Sequence, residues 1–350
     1  MGRLFKLVRE RAAIWIGAAL GLAALAAGTA WLGLAREVPG PDPGVARIEL
    51  PLPPELARHA PAPDSPPDAA DHVERIRPDG ALLEDGPFGP LPRIAPDGRR
   101  PFLAYALPFN LEDSRPKVAV LLLGIGAQRE LLDAALTSWP APIGLQFSPY
   151  APDLPALVAR ARGAGHEVLL ELPWHAVDNF ANDPGHSLAL EAGTDEHRKR
   201  LDWALAQASG YFALAGAVPA SSGGDQAEVV LDVLARRGLA LIELDDARLA
   251  PAAAAAGLPY ATARHTIDQD PSGPAIDHAL ATLEAEALAA GSALAVARGH
   301  PASLDRLRRW AATLEAKGLV LAPVSAVLIE QAGLARQLPT DGKRAAHPEG

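Results

Sequence analysis

Seven short runs in this chain carry the side chains best suited to chemistry. They are Gly124-Ile-Gly126, Ser148-Pro-Tyr150, Pro173-Trp-His175, Val218-Pro-Ala-Ser-Ser222, Asp245-Asp246, Arg298-Gly-His300 and Pro323-Val-Ser325. The two adjacent acids, Asp245 and Asp246, could hold a cation or take a proton, or could simply cap a turn. Glu171 ends an apolar run, so its carboxylate must be paired or face a groove. His175 and His300 are the imidazoles nearest such positions, yet the ten His show no H-x-x-H or H-x-x-x-H spacing that would mark a metal site. Gly124-Ile-Gly126 supplies half of a dinucleotide fingerprint; position 129 is Arg rather than Gly, and no acid follows the next apolar run. Ser221 and Ser222 lack the G-x-S-x-G elbow of a serine nucleophile. With no Cys in the chain, thiolate zinc sites, iron–sulfur clusters and cysteine nucleophiles are excluded. Trp174 could stack on a sugar ring or serve as packing.

These runs share one placement, because each follows a short apolar stretch that reads as a strand. The strand candidates are 118–123, 143–147, 167–172, 211–217, 239–244, 293–297 and 319–322. Helical periodicity occupies 154–164, 195–208, 227–237, 274–289 and 304–317 between them. Gly165, Gly238, Gly291 and Gly318 stand where helices should end, with a left-handed residue closing each one. Short continuous apolar strands alternating with amphipathic helices predict a parallel sheet covered on both faces. Seven or so such units make either a (β/α) barrel or an open doubly wound sheet, and in both the groove lies at the C-terminal strand ends.

The rest of the chain reads as an address and a spacer. Residues 12–35 are 24 uncharged residues between Arg11 and Arg36, about 36 Å as a helix and long enough for a bilayer core of about 30 Å. Trp15 and Trp31 suit the two interfaces. The preceding Arg and Lys keep the N-terminus cytoplasmic and place the remainder in the periplasm. A cleaved signal peptide ending near Ala24-Leu-Ala26 is the competing reading. Residues 37–101 hold 16 Pro and read as an extended periplasmic tether, with its last part docking as a strap. A folded domain then spans 102–335, and 336–350 reads as a disordered tail. Beyond residue 11 the chain has 28 basic against 41 acidic residues, or −13. That sign opposes phosphate binding, so no nucleic-acid partner is expected.

From Leu91 to Leu328 the sequence resembles the divergent polysaccharide deacetylases, relatives of the NodB-type carbohydrate esterases. The resemblance is carried by Leu91-Pro-Arg-Ile-Ala-Pro-Asp-Gly-Arg-Arg-Pro-Phe102, Phe147-Ser-Pro-Tyr-Ala-Pro152, Ala164-Gly-His-Glu-Val-Leu-Leu-Glu-Leu-Pro173 and Asn182-Asp-Pro-Gly185. Arg200-Leu-Asp-Trp-Ala-Leu205 and Leu321-Ala-Pro-Val-Ser-Ala-Val-Leu328 complete it. It implies an α/β fold, a NodB-like deformed (β/α) barrel of about seven parallel strands, preceded by one transmembrane helix at the inner membrane.

The resemblance also implies a loss. Active members place two acids at the end of the first strand as base and metal ligand, and those positions fall on Leu123 and Gly124. The family's later His positions fall on Ala217 and, in the Arg298-Gly-His300 run, on Arg298; the third-strand His becomes Glu171. Leucine neither ligates a cation nor takes a proton, so the expectation is no catalytic residue, no metal and no cofactor. Enzyme status is left open, with the chain read as a pseudoenzyme that binds glycan, peptidoglycan or an envelope protein through Glu171, Trp174, His175, Asp245, Asp246 and His300. Two alternatives stand beside it. One is an active deacetylase or other hydrolase with a rearranged site, needing zinc or another divalent metal if it keeps the ancestral chemistry. The other is a protein-only envelope scaffold.

Overall fold

The computed structural model describes residues 78–126, 129–174, 185–188, 193–219 and 224–334. The first described residues lie within the stretch expected to be spacer. A short 3-10 turn, Gly80–Leu82, leads into an antiparallel hairpin of β1 (Leu83–Gly86) and β2 (Gly89–Pro92). Asp79 accepts from the Ala81 N–H at 2.8 Å, and its own N–H donates to the Tyr105 hydroxyl at 3.1 Å. Leu82, Leu91 and Ala95 are buried, followed by Phe102 of α1 (Pro101–Ala104). The strap expected from Leu91 onward is thus seen docked, and folded structure reaches back from it to residue 78. The surrounding proline content hid the earlier anchor Leu82, which gains burial only on a barrel built by the rest of the chain.

That barrel follows the alternation of its strands. The remaining elements are β3 (Lys117–Ile125), α2 (Arg129–Ser138), β4 (Gly144–Phe147), α3 (Leu154–Gly163), β5 (Val168–Glu171), α4 (Thr194–Ala206), β6 (Ala213–Ala217), α5 (Gly224–Arg236), β7 (Ala240–Leu244), α6 (Ala250–Ala255), β8 (Tyr260–Ala263), β9 (His265–Thr266), α7 (Gly273–Ala290), β10 (Ser292–Ala297), α8 (Pro301–Ala311), β11 (Val320–Leu321) and α9 (Val324–Gln331). All sheet pairings outside the hairpin are parallel, in the order β8-β7-β6-β5-β4-β3-β10-β9, with β11 added beside β3. The two ends of this path are one continuous segment: 260–263 pairs with β7, and 265–266 pairs with β10. The sheet therefore nearly closes on itself, a parallel α/β barrel. Sequence reading missed β8 and β9 because Tyr-Ala-Thr-Ala is half polar and lacks a continuous apolar run. The expected glycines behave as predicted, with positive φ at Gly165, Gly238, Gly291 and Gly318.

On β3, Val118, Val120 and Leu122 face the helices while Ala119 and Leu121 face the interior. Interior positions elsewhere are mostly small, such as Ala213, Ala215, Ala240, Ala261 and Ala263, and this leaves room for α9 to pack with the inner cluster. Gly144 shows how close that approach is: a Cβ there would lie 2.8 Å from Val324 Cγ2. Gly144→Ala should cost about 1–3 kcal/mol through overpacking, measurable as a lowered denaturation midpoint with an unchanged slope. The N-terminal barrel end is further closed by Phe102 N–H donating to Gly238 O (3.0 Å) and by Glu167, which accepts from Leu107 N–H (2.8 Å) and Ser325 N–H (3.0 Å). Among the described residues no helix is long and apolar enough to cross a membrane; residues 12–35 and 336–350 lie outside the described residues.

Candidate functional site

The C-terminal strand ends form a mouth whose floor is apolar. Leu123 continues the interior-facing row of β3 and Leu244 that of β7; both are half-buried and pack on the inner cluster. Past Leu122 the β3–β4 register slips before Ile125 meets Phe147. Gly124, at φ +69°, absorbs that irregularity, and its N–H donates to Gln146 Oε1 at 3.2 Å. Gln146 is buried on β4 and its Nε2 donates to Ala215 O at 2.7 Å, so one amide ties β3 and β6 together beneath the mouth. Sequence reading did not single out Gln146, although a lone amide within an apolar strand demands such partners.

Glu171 ends β5 opposite Ala215, half-buried, two residues after the interior-facing Leu169. Ala217, paired with Leu244, is exposed at the end of β6. Beyond Leu244, Asp245 is exposed at φ +73°, its N–H held by Ala263 O at 3.0 Å. Arg298 and His300 are exposed beyond β10 on a loop held by the buried Asp268. Leu123, Gly124, Ala217 and Arg298, the positions expected from the resemblance to replace the family's acids and imidazoles, all lie at these C-terminal strand ends, together with Glu171, Asp245 and His300.

Two of the expected groove residues have partners of their own. Asp246 is exposed but committed to Arg248, with Oδ2 2.6 Å from Nη2 and 3.1 Å from Nε. Trp174 is only 6% exposed. Its N–H bonds back to Leu172 O at 2.7 Å, it forms a bridge with Leu188, and its ring stands edge-on to buried His197. Among the described residues it packs against this cluster, which accords with the packing alternative. His175 and the Ser221-Ser222 pair lie outside the described residues.

Just outside the mouth, Glu243 is buried on the outer face of β7. It accepts from the N–H groups of Arg248 (3.1 Å) and Leu249 (2.9 Å) and from the Tyr260 hydroxyl (2.6 Å). Burial, and then that bond to Glu243, push the Tyr260 phenol well above its ordinary value. This carboxylate fixes the turn that carries Asp245 and Asp246.

A divalent metal does not fit the described residues of the mouth. A catalytic site needs about three convergent imidazoles or carboxylates, and nowhere among the described residues do three such side chains come together. Leu123, Gly124 and Ala217 offer no donor atom from their side chains.

Comparison with known proteins settles the lineage. A family model for divergent polysaccharide deacetylases matches residues 120–328. The chain belongs to that family. The crystal structure of the uncharacterized protein ATU2773 from Agrobacterium tumefaciens C58 shares the fold, with a TM-score of 0.63 and 24% identity over 68% of this chain and 99% of the other. None of the curated proteins matches the chain significantly.

Proposed function

We propose that this divergent polysaccharide deacetylase is catalytically degenerate and holds an envelope glycan at the barrel mouth without hydrolysing it. One observation supports the reading: Leu123, Gly124 and Ala217, which the sequence resemblance sets at the family's base and metal-ligand positions, stand at the C-terminal strand ends and offer no ligating side chain. An apolar floor of Leu123 and Leu244, rimmed by Glu171, Asp245, Arg298 and His300, suits a saccharide. Its C–H faces rest on the leucines while its hydroxyls bond the rim. In this reading residues 12–35 anchor the chain in the inner membrane, and the domain faces peptidoglycan from the periplasm.

The test uses the full-length chain in detergent, titrated calorimetrically with N-acetylated chito-oligosaccharides, with peptidoglycan fragments and, separately, with zinc. Saturable glycan binding, no stoichiometric zinc binding and no acetate release are expected. Submicromolar zinc binding lost in His300→Ala, or acetate released from the oligosaccharide, would overturn the reading in favour of a rearranged hydrolase. Absence of any glycan binding would leave the protein-only scaffold.

A further inference from the structure

Asp268 is fully buried, and four donors converge on its carboxylate. Oδ1 accepts from Arg298 N–H at 2.8 Å; Oδ2 accepts from Gly299 N–H at 3.0 Å, His300 N–H at 3.2 Å and Ser303 Oγ at 2.7 Å. Three consecutive backbone amides therefore turn inward onto one side chain. Gly299 is buried at φ +75°, where a Cβ would meet Leu131 at 2.9 Å, while Arg298 and His300 on either side are exposed. The carboxylate is itself anchored, because Ile267 N–H bonds to Val296 O at 2.8 Å and fixes Asp268 beside the end of β10. No lysine or arginine side chain bonds this carboxylate among the described residues; backbone dipoles and one hydroxyl satisfy it. None of the three amides belongs to the first turn of α8, so capping that helix does not account for them. The three bonds, spanning the whole rim loop, set the spacing of the two side chains that the loop displays.

We infer that Asp268 is the positioning residue of the ligand-binding rim: it locks the Arg298-Gly299-His300 backbone so that Arg298 and His300 are presented together to a saccharide. The inference rests on the glycan reading above and names the wall of the mouth that does the recognising. Asn is the informative replacement, since it keeps the volume but replaces one acceptor oxygen with an NH2 that faces the same amides.

The experiment measures hydrogen exchange of the full-length chain together with chito-oligosaccharide affinity. In the wild type, the amides of 298–300 should be protected like those of β10, although they lie beyond the strand. In Asp268→Asn they should exchange about tenfold faster or more while β10 is unchanged, and affinity should fall about tenfold. Unprotected wild-type amides would overturn the proposal without any variant, as would a loosened loop with full affinity. If Asp268→Asn fails to fold, Ser303→Ala, which removes only one donor and frees the carboxylate to hold the amides, must retain both protection and affinity. A wild type that binds no oligosaccharide overturns the glycan reading and, with it, the ligand-facing role; the exchange data still decide whether Asp268 holds the loop.

Discussion

Replacing Glu167 by Ala should cost the domain about 4 kcal/mol, the largest loss expected from any single side chain described above. Glu167 sits wholly buried at the closed end of the barrel. One oxygen takes the Leu107 N–H and the Ser325 hydroxyl; the other takes the Ser325 N–H at the start of α9. One carboxyl therefore ties the N-terminal strap to the helix that closes the barrel. Alanine would leave two backbone donors and a hydroxyl buried without acceptors, at about 1–3 kcal/mol each before relaxation. Glutamine would keep the volume and one acceptor oxygen but turn its NH2 toward a backbone N–H, so Glu167→Gln should lose less than Glu167→Ala.

The same residue makes stability depend on pH. Burial pushes the Glu167 carboxyl up to about 7 from its ordinary 4.5, outweighing the hydrogen bonds from Ser325 and Leu107 that act in the other direction. Between those values the folded chain holds a proton that the unfolded chain has released, so stability is greatest below 4.5 and falls as pH rises to 7. The fall attributable to this group is about 3 kcal/mol. Carboxylates lowered by arginines, such as Asp113 at about 2 beside Arg115, act in the opposite sense and only at more acid pH. Urea unfolding at about pH 5, 6, 7 and 8, with wild type and Glu167→Gln side by side, isolates the effect. A stability difference between the two that shows no pH dependence over this window would remove Glu167 as its source.

What the sequence revealed about the fold depended on whether the signal was local. β3 and β10 were legible because both faces are apolar: β3 turns Val118, Val120 and Leu122 to the helices and Ala119 and Leu121 inward, while β10 turns Ala293, Ala295 and Ala297 to the helices and Leu294 and Val296 inward. Helix ends were legible through their glycines. The closing segment 260–266 was not, since its pairing with β7 on one side and β10 on the other is a long-range fact that Tyr-Ala-Thr-Ala states only weakly. The site divides the same way. Leu123, Gly124, Ala217 and Arg298 were placed at the mouth because strand ends are local features. The choice between stacking and packing for Trp174 was not legible, because its burial depends on Leu188 and His197, more than a dozen residues away. The Asp246–Arg248 pair, by contrast, stood two residues apart in plain view and could have been anticipated. Asp268 was overlooked because nothing in His-Thr-Ile-Asp-Gln-Asp announces the three amides thirty residues later that need an acceptor.

Gly216→Ala should combine a large stability loss with a direct effect on the mouth. Gly216 lies on β6 opposite Glu243, and a Cβ there would stand 2.8 Å from Leu172 Cβ and 2.9 Å from Leu172 O. Neither contact can swing away, because Leu172 O belongs to the backbone and Leu172 N–H is bonded to Ala215 O at 2.9 Å. The added methyl must therefore force β5 and β6 apart at their C-terminal ends. Overpacking of this kind costs about 3 kcal/mol, or roughly 6–12 °C in melting temperature for a domain of this size. The strand end that moves carries Glu171, paired with Ala215, and the Gln146 bridge that closes on Ala215 O. Oligosaccharide affinity should accordingly fall in Gly216→Ala by about tenfold even at temperatures where the variant is fully folded, a loss of about 1.4 kcal/mol. Gly144→Ala, whose methyl meets α9 at the closed end, should lose stability but keep its affinity. If both variants bind equally well, the upper ends of β5 and β6 do not form the wall of the site, and recognition belongs to the β10 rim alone.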